Sequence, residues 1–308
     1  MSNFSVYKFI SEENDIRLDV FISNVYENAS RTYLQKLIKN GNILVNENVV
    51  FKPSYKINED DEITLNLPQP MPLEIIPEDI PLDIIYEDDD ILIINKPKGM
   101  VVHPANGHYS GTLVNAIMYH CKDSLSGING IMRPGIVHRI DMDTSGSLII
   151  CKNDISHTNI AEQLRVHSIT RIYKGIVTGR LKDNSGTVKM YIGRDSKDRK
   201  KMAPTDYVHG KEAITHYKVI EDFKDYQLVE FKLETGRTHQ IRVAMKSLGH
   251  PLLGDVLYGN DKNKFGVSGQ MLHAQTIGFI HPTTNEYVEF SAPFNDEFEK
   301  ILKILRNN

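Results

Sequence analysis

Two short stretches near the start of the chain place their apolar residues at helical spacing. Over Arg17–Tyr26, Leu18, Phe21, Ile22 and Val25 fall on one face. A second helix is predicted from Ser30, a hydroxyl suited to capping, to just before Gly41. Its apolar stripe is Leu34, Leu37 and Ile38, and Arg31, Gln35, Lys36 and Lys39 occupy the opposite side. Ile43–Val45, the turn Asn46-Glu47-Asn48 and Val49–Phe51 then give a hairpin signal. Residues 14–67 are expected to form a small αα-β domain, near the lower size limit for independent folding.

The pattern changes at 67–81, where five prolines interrupt any periodicity. Proline blocks helices and central strands, so an extended linker is predicted over 68–81. From 82 to 308 short apolar runs alternate with turns: Ile91–Asn95, Gly135–Val137, Ser147–Cys151, Tyr173–Thr178, Val188–Ile192, Ala213–Ile220 and Tyr226–Leu233. Helical spacing returns at Leu113–His120, Asp154–His167, His239–Leu248 and Asp296–Leu305. This order lacks strict β-α alternation. It predicts an α+β domain with a mixed, largely antiparallel β-sheet and flanking helices.

Composition adds little until charge is mapped. The formal net charge of −4 argues at first against a nucleic-acid partner. Residues 57–95 alone hold twelve acidic side chains and no Lys or Arg, so the remainder sums to +8. Within Arg165–Lys211, twelve Lys/Arg face four Asp, again a local +8. Phosphate attraction follows the local field, so an RNA-facing surface is compatible with an acidic chain. Clusters of this kind are also ordinary solvated faces, and composition alone leaves both readings open. Cys121 and Cys151 form no framework, and the N-terminus lacks the basic-then-apolar pattern of a signal peptide. No apolar run has the length of a membrane helix. A cytoplasmic, monomeric protein with no membrane association is expected.

The densest polar group of residues is Gly135-Ile-Val-His138-Arg139-Ile-Asp141-Met-Asp143-Thr144-Ser145-Gly146, a turn-rich loop feeding the apolar run Ser147–Cys151. Loops held by a rigid sheet concentrate functional groups. Asp143, Thr144 and Ser145 read as a capped turn, with Asp143 bonding the backbone that follows. For Asp141, the residues alone leave open a nucleophile or a structural ion pair.

The string HRIDMDTSG resembles HRLDxxTSG, the signature of large-ribosomal-subunit pseudouridine synthases of the RluA type. INKPKGMVVHP (94–104), GTLVNAI (111–117), RIYKGIVTG (171–179), KEAITHY (211–217), LETGRTHQIRVAMKSLGHPLLGDVLYG (233–259) and HAQTIGFIHP (273–282) resemble further family segments in the expected order. Ile140 and Arg171 replace the usual Leu and Lys, and Ala244 stands where His is common. The N-terminal stretch RLDVFISNVYENASRTYLQKLIKNGNILVNENVV is similar to the S-four-like RNA-binding domain.

The resemblance implies an enzyme that isomerises uridine, with large-subunit ribosomal RNA as the expected substrate. It implies Asp141 as the catalytic carboxylate, Arg242 as its cationic partner, and Tyr173 stacked on the target ring. Arg139 is expected to enter the space left by an extruded base, and Arg237 to contact phosphate or to be structural. Arg31, Lys36 and Lys39 become a phosphate-binding stripe. The isomerisation gains no atoms or electrons, so no cofactor is expected. His103, His138, His239, His273 and His281 lie on separate segments without ligand spacing, so no metal is expected. A non-catalytic RNA-binding assembly factor, and a metal-dependent RNA hydrolase, are the competing readings.

Overall fold

The computed structural model describes residues 4–68, 75–104, 107–122, 124–128, 130, 133–259 and 263–307. The chain divides into two compact units, Met1–Leu73 and Glu74–Asn308.

In the first unit the strands and helices run β1 (Phe4–Ile10), β2 (Ile16–Arg17), α1 (Leu18–Val25), α2 (Arg31–Lys39), β3 (Ile43–Val45), β4 (Asn48–Val49), β5 (Lys56–Ile57) and β6 (Glu62–Pro68). Ser30 caps α2, its side chain accepting from the Tyr33 amide at 3.3 Å. The two helices bury Leu18, Phe21, Ile22, Leu34, Leu37 and Ile38 against Ile43, Val45, Ile63 and Leu65. These last four come from a sheet of order β1-β6-β3-β4. Strand β1 pairs along the whole of β6 and lies outside the expected 14–67 range. Most of its residues are exposed, so it carries no two-residue alternation to be read.

The basic side of α2 differs from the expected stripe. Asp19, fully buried in the first turn of α1, accepts from Arg17, from Arg31 at 2.9 Å and from Gln35 at 2.6 Å. Burial pushes this carboxyl up, but hydrogen bonds from Arg17, Gln35 and Arg31 outweigh it and hold the group well below the usual range. Arg31 and Gln35 are thus tied to buried Asp19, although the Arg31 side chain remains about half exposed. Lys36 and Lys39 stay exposed.

The second unit runs β7 (Ile84–Glu87), β8 (Ile91–Lys96), α3 (Leu113–Cys121), β9 (Ser145–Cys151), α4 (Asp154–Arg165), β10 (Thr170–Thr178), β11 (Ser185–Arg194), β12 (Met202–Thr205), β13 (Lys211–Asp222), β14 (Tyr226–Leu233), α5 (Gln240–Ser247), β15 (Leu272–Ile280), β16 (Tyr287–Ser291) and α6 (Asp296–Arg306). Its ten strands form one sheet of order β12-β11-β13-β14-β10-β15-β9-β8-β7, with β16 also on β15. Every pairing is antiparallel except β15 with β9, which meet over two residue pairs. Gly146 permits this meeting: its φ is +113°, and a Cβ there would lie 2.2 Å from the Ala274 carbonyl oxygen.

Helices cover both faces. Leu113, Val114 and Ile117 of α3 pack with Leu92, Ile94, Leu148 and Ile150. Ile241, Ala244 and Met245 of α5 pack with Val177, Val229, Phe231 and Leu272. The Tyr173 ring touches both clusters, which puts α3 and α5 on the same face. On the opposite side, α4 covers Ile93, Ile149 and Ile277, and α6 covers Ile176 and Leu228. Residues 135–137 form no strand and contribute a single bridge, Ile136 to Ile150.

Of the expected linker, 69–74 lies outside the described residues. The part from 75 to 81 is extended but docked. Ile75 is buried beside α3, Asn115 donates to the Ile76 carbonyl at 2.8 Å, and the Glu78 amide donates back to the Asn115 carbonyl at 3.0 Å. No helix among the described residues is long and apolar enough to cross a membrane.

Candidate active site

The loop from His138 to Thr144 enters the face shared by α3 and α5, and its shape is held mainly by backbone. Ile140 is buried, and the Thr144 amide closes the turn on the Asp141 carbonyl at 3.1 Å. The Met142 carbonyl accepts from the Gly99 amide at 2.9 Å and from Lys96 Nζ at 3.0 Å. Lys96 is fully buried and also donates to the Pro97 and Met100 carbonyls. Burial lowers its ammonium to about 7, against the pull of Asp143 and Asp141. The INKPKG segment therefore fixes this loop from beneath.

Asp143, expected to bond the following backbone, makes no such bond, because the Asp141 carbonyl takes that place. Thr144 accepts from Gln270, and Ser145 donates to His273 Nδ1 at 2.9 Å. Both hydroxyls are structural here.

Asp141 itself projects into a cleft with Arg139, Tyr173, Arg237, His239 and Arg242 around it. Arg242 Nη1 donates to Asp141 Oδ2 at 3.0 Å. Its remaining donors face the other way: Nε and Nη2 grip Asp255 at 2.7 and 2.9 Å. Asp255 is fully buried and accepts from the Leu257 and Tyr258 amides as well. Burial opposes the Arg242 charge, yet the Asp255 hydrogen bonds and the fields of Asp255 and Asp141 prevail, and its pKa rises. Two carboxylates thus share one guanidinium, which can neither lose its proton nor swing away. Asp141, 20% exposed, keeps one oxygen for a reacting group.

A second polar chain approaches Asp141 through His239. Its Nε2 lies 3.8 Å from Asp141 Oδ2, and its Nδ1 lies 2.8 Å from the Tyr258 hydroxyl. That hydroxyl accepts from the Met202 amide at 2.7 Å, so its own proton is free to go to Nδ1. The Nε2–H tautomer, pointing at Asp141, follows. Burial first lowers the His239 pKa, Asp141 opposing, which favours the neutral ring. The Arg242 guanidinium also lies 5.1 Å over the Tyr258 ring.

Tyr173 sits where β10 shifts register against β15, between Ile172 and Tyr173, and such a bulge re-aims a side chain. Its ring lines the cleft beside Asp141. Burial raises its pKa, with Asp141 adding and Arg171 opposing. The phenol is therefore a hydrogen-bonding group and an aromatic face at neutral pH, and a poor proton acceptor.

Arg139 and Arg237 line the same cleft. Arg139 is exposed and reaches His103 Nε2 at 3.2 Å, while Arg237 Nε donates to the Glu212 carbonyl at 2.7 Å. The loop and the α5 segment thus converge, although Asp141 and Arg242 are 101 positions apart. The α2 residues belong to the first unit.

The histidines sit in separate places, and His281 shares its place with Asp88 and Asp90, whose ligand atoms lie within 4.8 Å of one another and could hold a metal ion. His138 Nε2 accepts from the Ile149 amide, His273 spans Ser145 and the Ala292 carbonyl, and His281 meets Asp88 at 2.8 Å. Asp255, His239 and Tyr258 were assigned no role from sequence. Their signal was present: GDVLYG supplies an acid and an aromatic three residues apart, but nothing in that spacing names Arg242 as the acid's partner.

Comparison with known proteins fits this geometry. The family model described as RNA pseudouridylate synthase matches residues 90–247, and the S4 domain model matches 16–63. The uncharacterized RNA pseudouridine synthase YlyB of Bacillus subtilis is 50% identical over 297 residues, covering 96% of both chains. Ribosomal large subunit pseudouridine synthase D of Zymomonas mobilis is 44% identical, covering 94% of this chain and 93% of its own. The solved structure of human RNA pseudouridylate synthase domain containing 1 aligns with a TM-score of 0.57 at 24% identity, over 78% of this chain and 98% of that one. That last likeness is one of fold. The chain belongs to the RNA pseudouridine synthase family, isomerases acting on RNA, and carries an RNA-binding S4 domain at residues 16–63.

Proposed function

We propose that this chain isomerises uridine in large-subunit ribosomal RNA, with Asp141 as the catalytic carboxylate, Arg242 as its ion-pair partner and Tyr173 stacked on the target ring. The observation that carries this reading is the shared guanidinium. Asp255 takes Nε and Nη2 and leaves Nη1 to Asp141 at 3.0 Å, so the carboxylate is paired with a fixed cation and aimed into the cleft.

The reaction balances within the substrate. The bond from C1′ to N1 breaks, the uracil turns, C5 bonds to C1′, and the C5 proton is replaced by one on N1. A fixed carboxylate engages the reacting sugar or base during this exchange. Tyr173 keeps the freed ring in plane, and His239, neutral with Nε2–H inward, bounds the other side of Asp141. Chemistry on a stacked base requires its extrusion, and exposed Arg139, at the mouth of the cleft, fills the vacated space.

The ribosomal target is supported by the similarity to ribosomal large subunit pseudouridine synthase D of Zymomonas mobilis. Arg237 and the exposed Lys36 and Lys39 are assigned to RNA contact, and Arg31 mainly to the buried Asp19. The test is to treat ribosomal and transfer RNA, from cells lacking the enzyme, with purified protein and map new pseudouridines. Isomerised uridine in the large-subunit RNA is expected. Modification confined to transfer RNA would overturn the target, and none in either RNA would overturn the whole reading.

A further inference from the structure

Beside Asp141 lies a wider cleft of about 620 Å³, lined by Arg139, Arg165, Arg171, Arg237 and His167, with Asp141 its one carboxylate. Asp141 is taken by Arg242, and Arg165 by Glu162. The other three arginines bond neutral groups: Arg139 meets His103, Arg171 Nη2 donates to the Glu234 carbonyl at 3.0 Å, and Arg237 Nε donates to the Glu212 carbonyl.

Arg171 stands out among them. It is 8% exposed, and its buried Nε has no hydrogen-bond partner among the described residues. A buried cation without an anion is costly, and a buried N–H without an acceptor adds to that. The guanidinium lies directly against Gly236, where a Cβ would sit 2.5 Å from Arg171 Nη1 and the guanidinium would have to move. The surrounding histidines register the excess charge. Burial first and Arg171 second lower His138 to about 3, and burial, Arg171 and Arg237 lower His167.

We propose that the Arg171–Arg237 side of this cleft is a phosphodiester subsite, which takes a backbone phosphate of the RNA strand next to the target uridine. A phosphodiester carries one charge and several acceptor oxygens, matching one uncompensated buried guanidinium with a second at its rim. A protein carboxylate could not serve there, since it would neutralise the cleft in the free enzyme. The proposal rests on the uridine-isomerase reading of Asp141 and extends it by fixing how the strand is registered against that carboxylate.

The experiment uses the full chain and a transcript carrying the uridine mapped as its target. Activity is read as tritium release from uridine labelled at C5, and affinity as a function of salt. Arg171→Gln should raise KM on the order of tenfold, the loss expected for a hydrogen bond to a charged group. It should also flatten the slope of log affinity against log salt by roughly 0.7, the value for one single-strand phosphate. The gap between variant and wild type should narrow as salt rises, and Arg171→Lys should restore the slope. A purely structural role would instead lower activity equally at every salt concentration, and that result would overturn the proposal.

A second arm needs no variant. Phosphates flanking the uridine are replaced one at a time by neutral methylphosphonates, and wild-type protein should lose affinity at one position that Arg171→Gln no longer senses. No sensitive position would also overturn the subsite. Wild-type activity lost in Asp141→Asn, alongside an unchanged Arg171→Gln, would sink the subsite alone. Absence of any tritium release by wild type would sink the reading beneath it.

Discussion

Asp141 and Asp255 hold the same guanidinium, so exchanging each for Asn should separate chemistry from stability. Asp141 is 20% exposed and contributes one bond to Arg242 at 3.0 Å. In Asp141→Asn, Asp255 still neutralises Arg242 through two bonds, so the loss should be about 1 kcal/mol or less. For a domain of this size that is a fall in Tm of roughly 2–4 °C. The rate, by contrast, should fall at least about 10⁴-fold, because the group that engages the substrate is gone. Asp255→Asn should reverse the order. Asp255 is fully buried, takes two Arg242 donors and receives two backbone amides. Breaking a buried pair costs about 3–5 kcal/mol, and the lower end applies because Asp141 remains beside the cation. A Tm lower by roughly 6–12 °C is expected, with activity reduced far less than in Asp141→Asn at a temperature where both variants are folded. Calorimetry and single-turnover tritium release measure the two quantities. Asp141→Asn retaining a rate within about tenfold of wild type, with deamidation excluded by mass spectrometry, would refute the catalytic assignment. Asp255→Asn melting with the wild type would refute the energetic one.

Asp143→Asn should lower the rate by no more than about threefold, a loss below 1 kcal/mol, since Arg242 reaches Asp141 and not Asp143; equal inactivation of both variants would contradict this. Lys36→Ala with Lys39→Ala should flatten the salt dependence of RNA binding by up to roughly 0.7 per lysine, whereas Arg31→Ala should chiefly destabilise the first unit, because Arg31 is bound to buried Asp19. An unchanged slope in the double variant, followed by salt titration, would remove α2 from the RNA contact. Acid should destabilise the fold below neutrality: burial with Arg171 lowers His138 to about 3, and burial with Arg139 lowers His103 to about 4, from a usual 6.5. Between those values and 6.5 the unfolded chain binds more protons, so stability falls as pH drops through the window, by up to about 1.4 kcal/mol per pH unit for each histidine. Denaturant titrations from pH 7 to 4.5 should show that slope, and His138→Gln should make it shallower.

What could be read from sequence followed local periodicity. Helix α2 was legible because Ser30, Leu34, Leu37 and Ile38 place a cap and a stripe at fixed offsets. Strand β1 was not, because it joins β6 at an exposed position where no face is apolar. Prolines marked 75–81 as extended, but extension says nothing about contact, and the segment's bonds to Asn115 are made with α3 more than thirty positions away. Arg31 and Gln35 looked like surface polar residues, and only the buried Asp19, twelve and sixteen positions earlier respectively, redirects them. At the site, Asp141, Tyr173 and Arg242 came through resemblance and converge in the structure. Asp255 could not be assigned, since its value lies in a guanidinium contributed by another element. Arg171 was visible only as a replacement for Lys, and its burial against Gly236 is what gives the replacement physical content.

The charge arrangement shows how an acidic chain can still present a cationic face beside Asp141. Asp141, Arg242 and Asp255 together carry a net −1, and Arg139 and Arg237 line the same cleft as Asp141. Arg139, Arg171 and Arg237 bond only neutral groups, so excess positive charge lies on the Arg171 side of Asp141 and acidic charge on the Asp255 side. Under the proposed subsite, a strand drawn in by its backbone is registered on the arginine side and presents its base to Asp141. Exchange of the two signs, with a cation in place of Asp255 or a carboxylate opposite Arg171, would leave every residue of the signature loop intact and still misplace the substrate. On that proposal, specific engagement of uridine depends on residues far from HRIDMDTSG in sequence as well as on the loop itself.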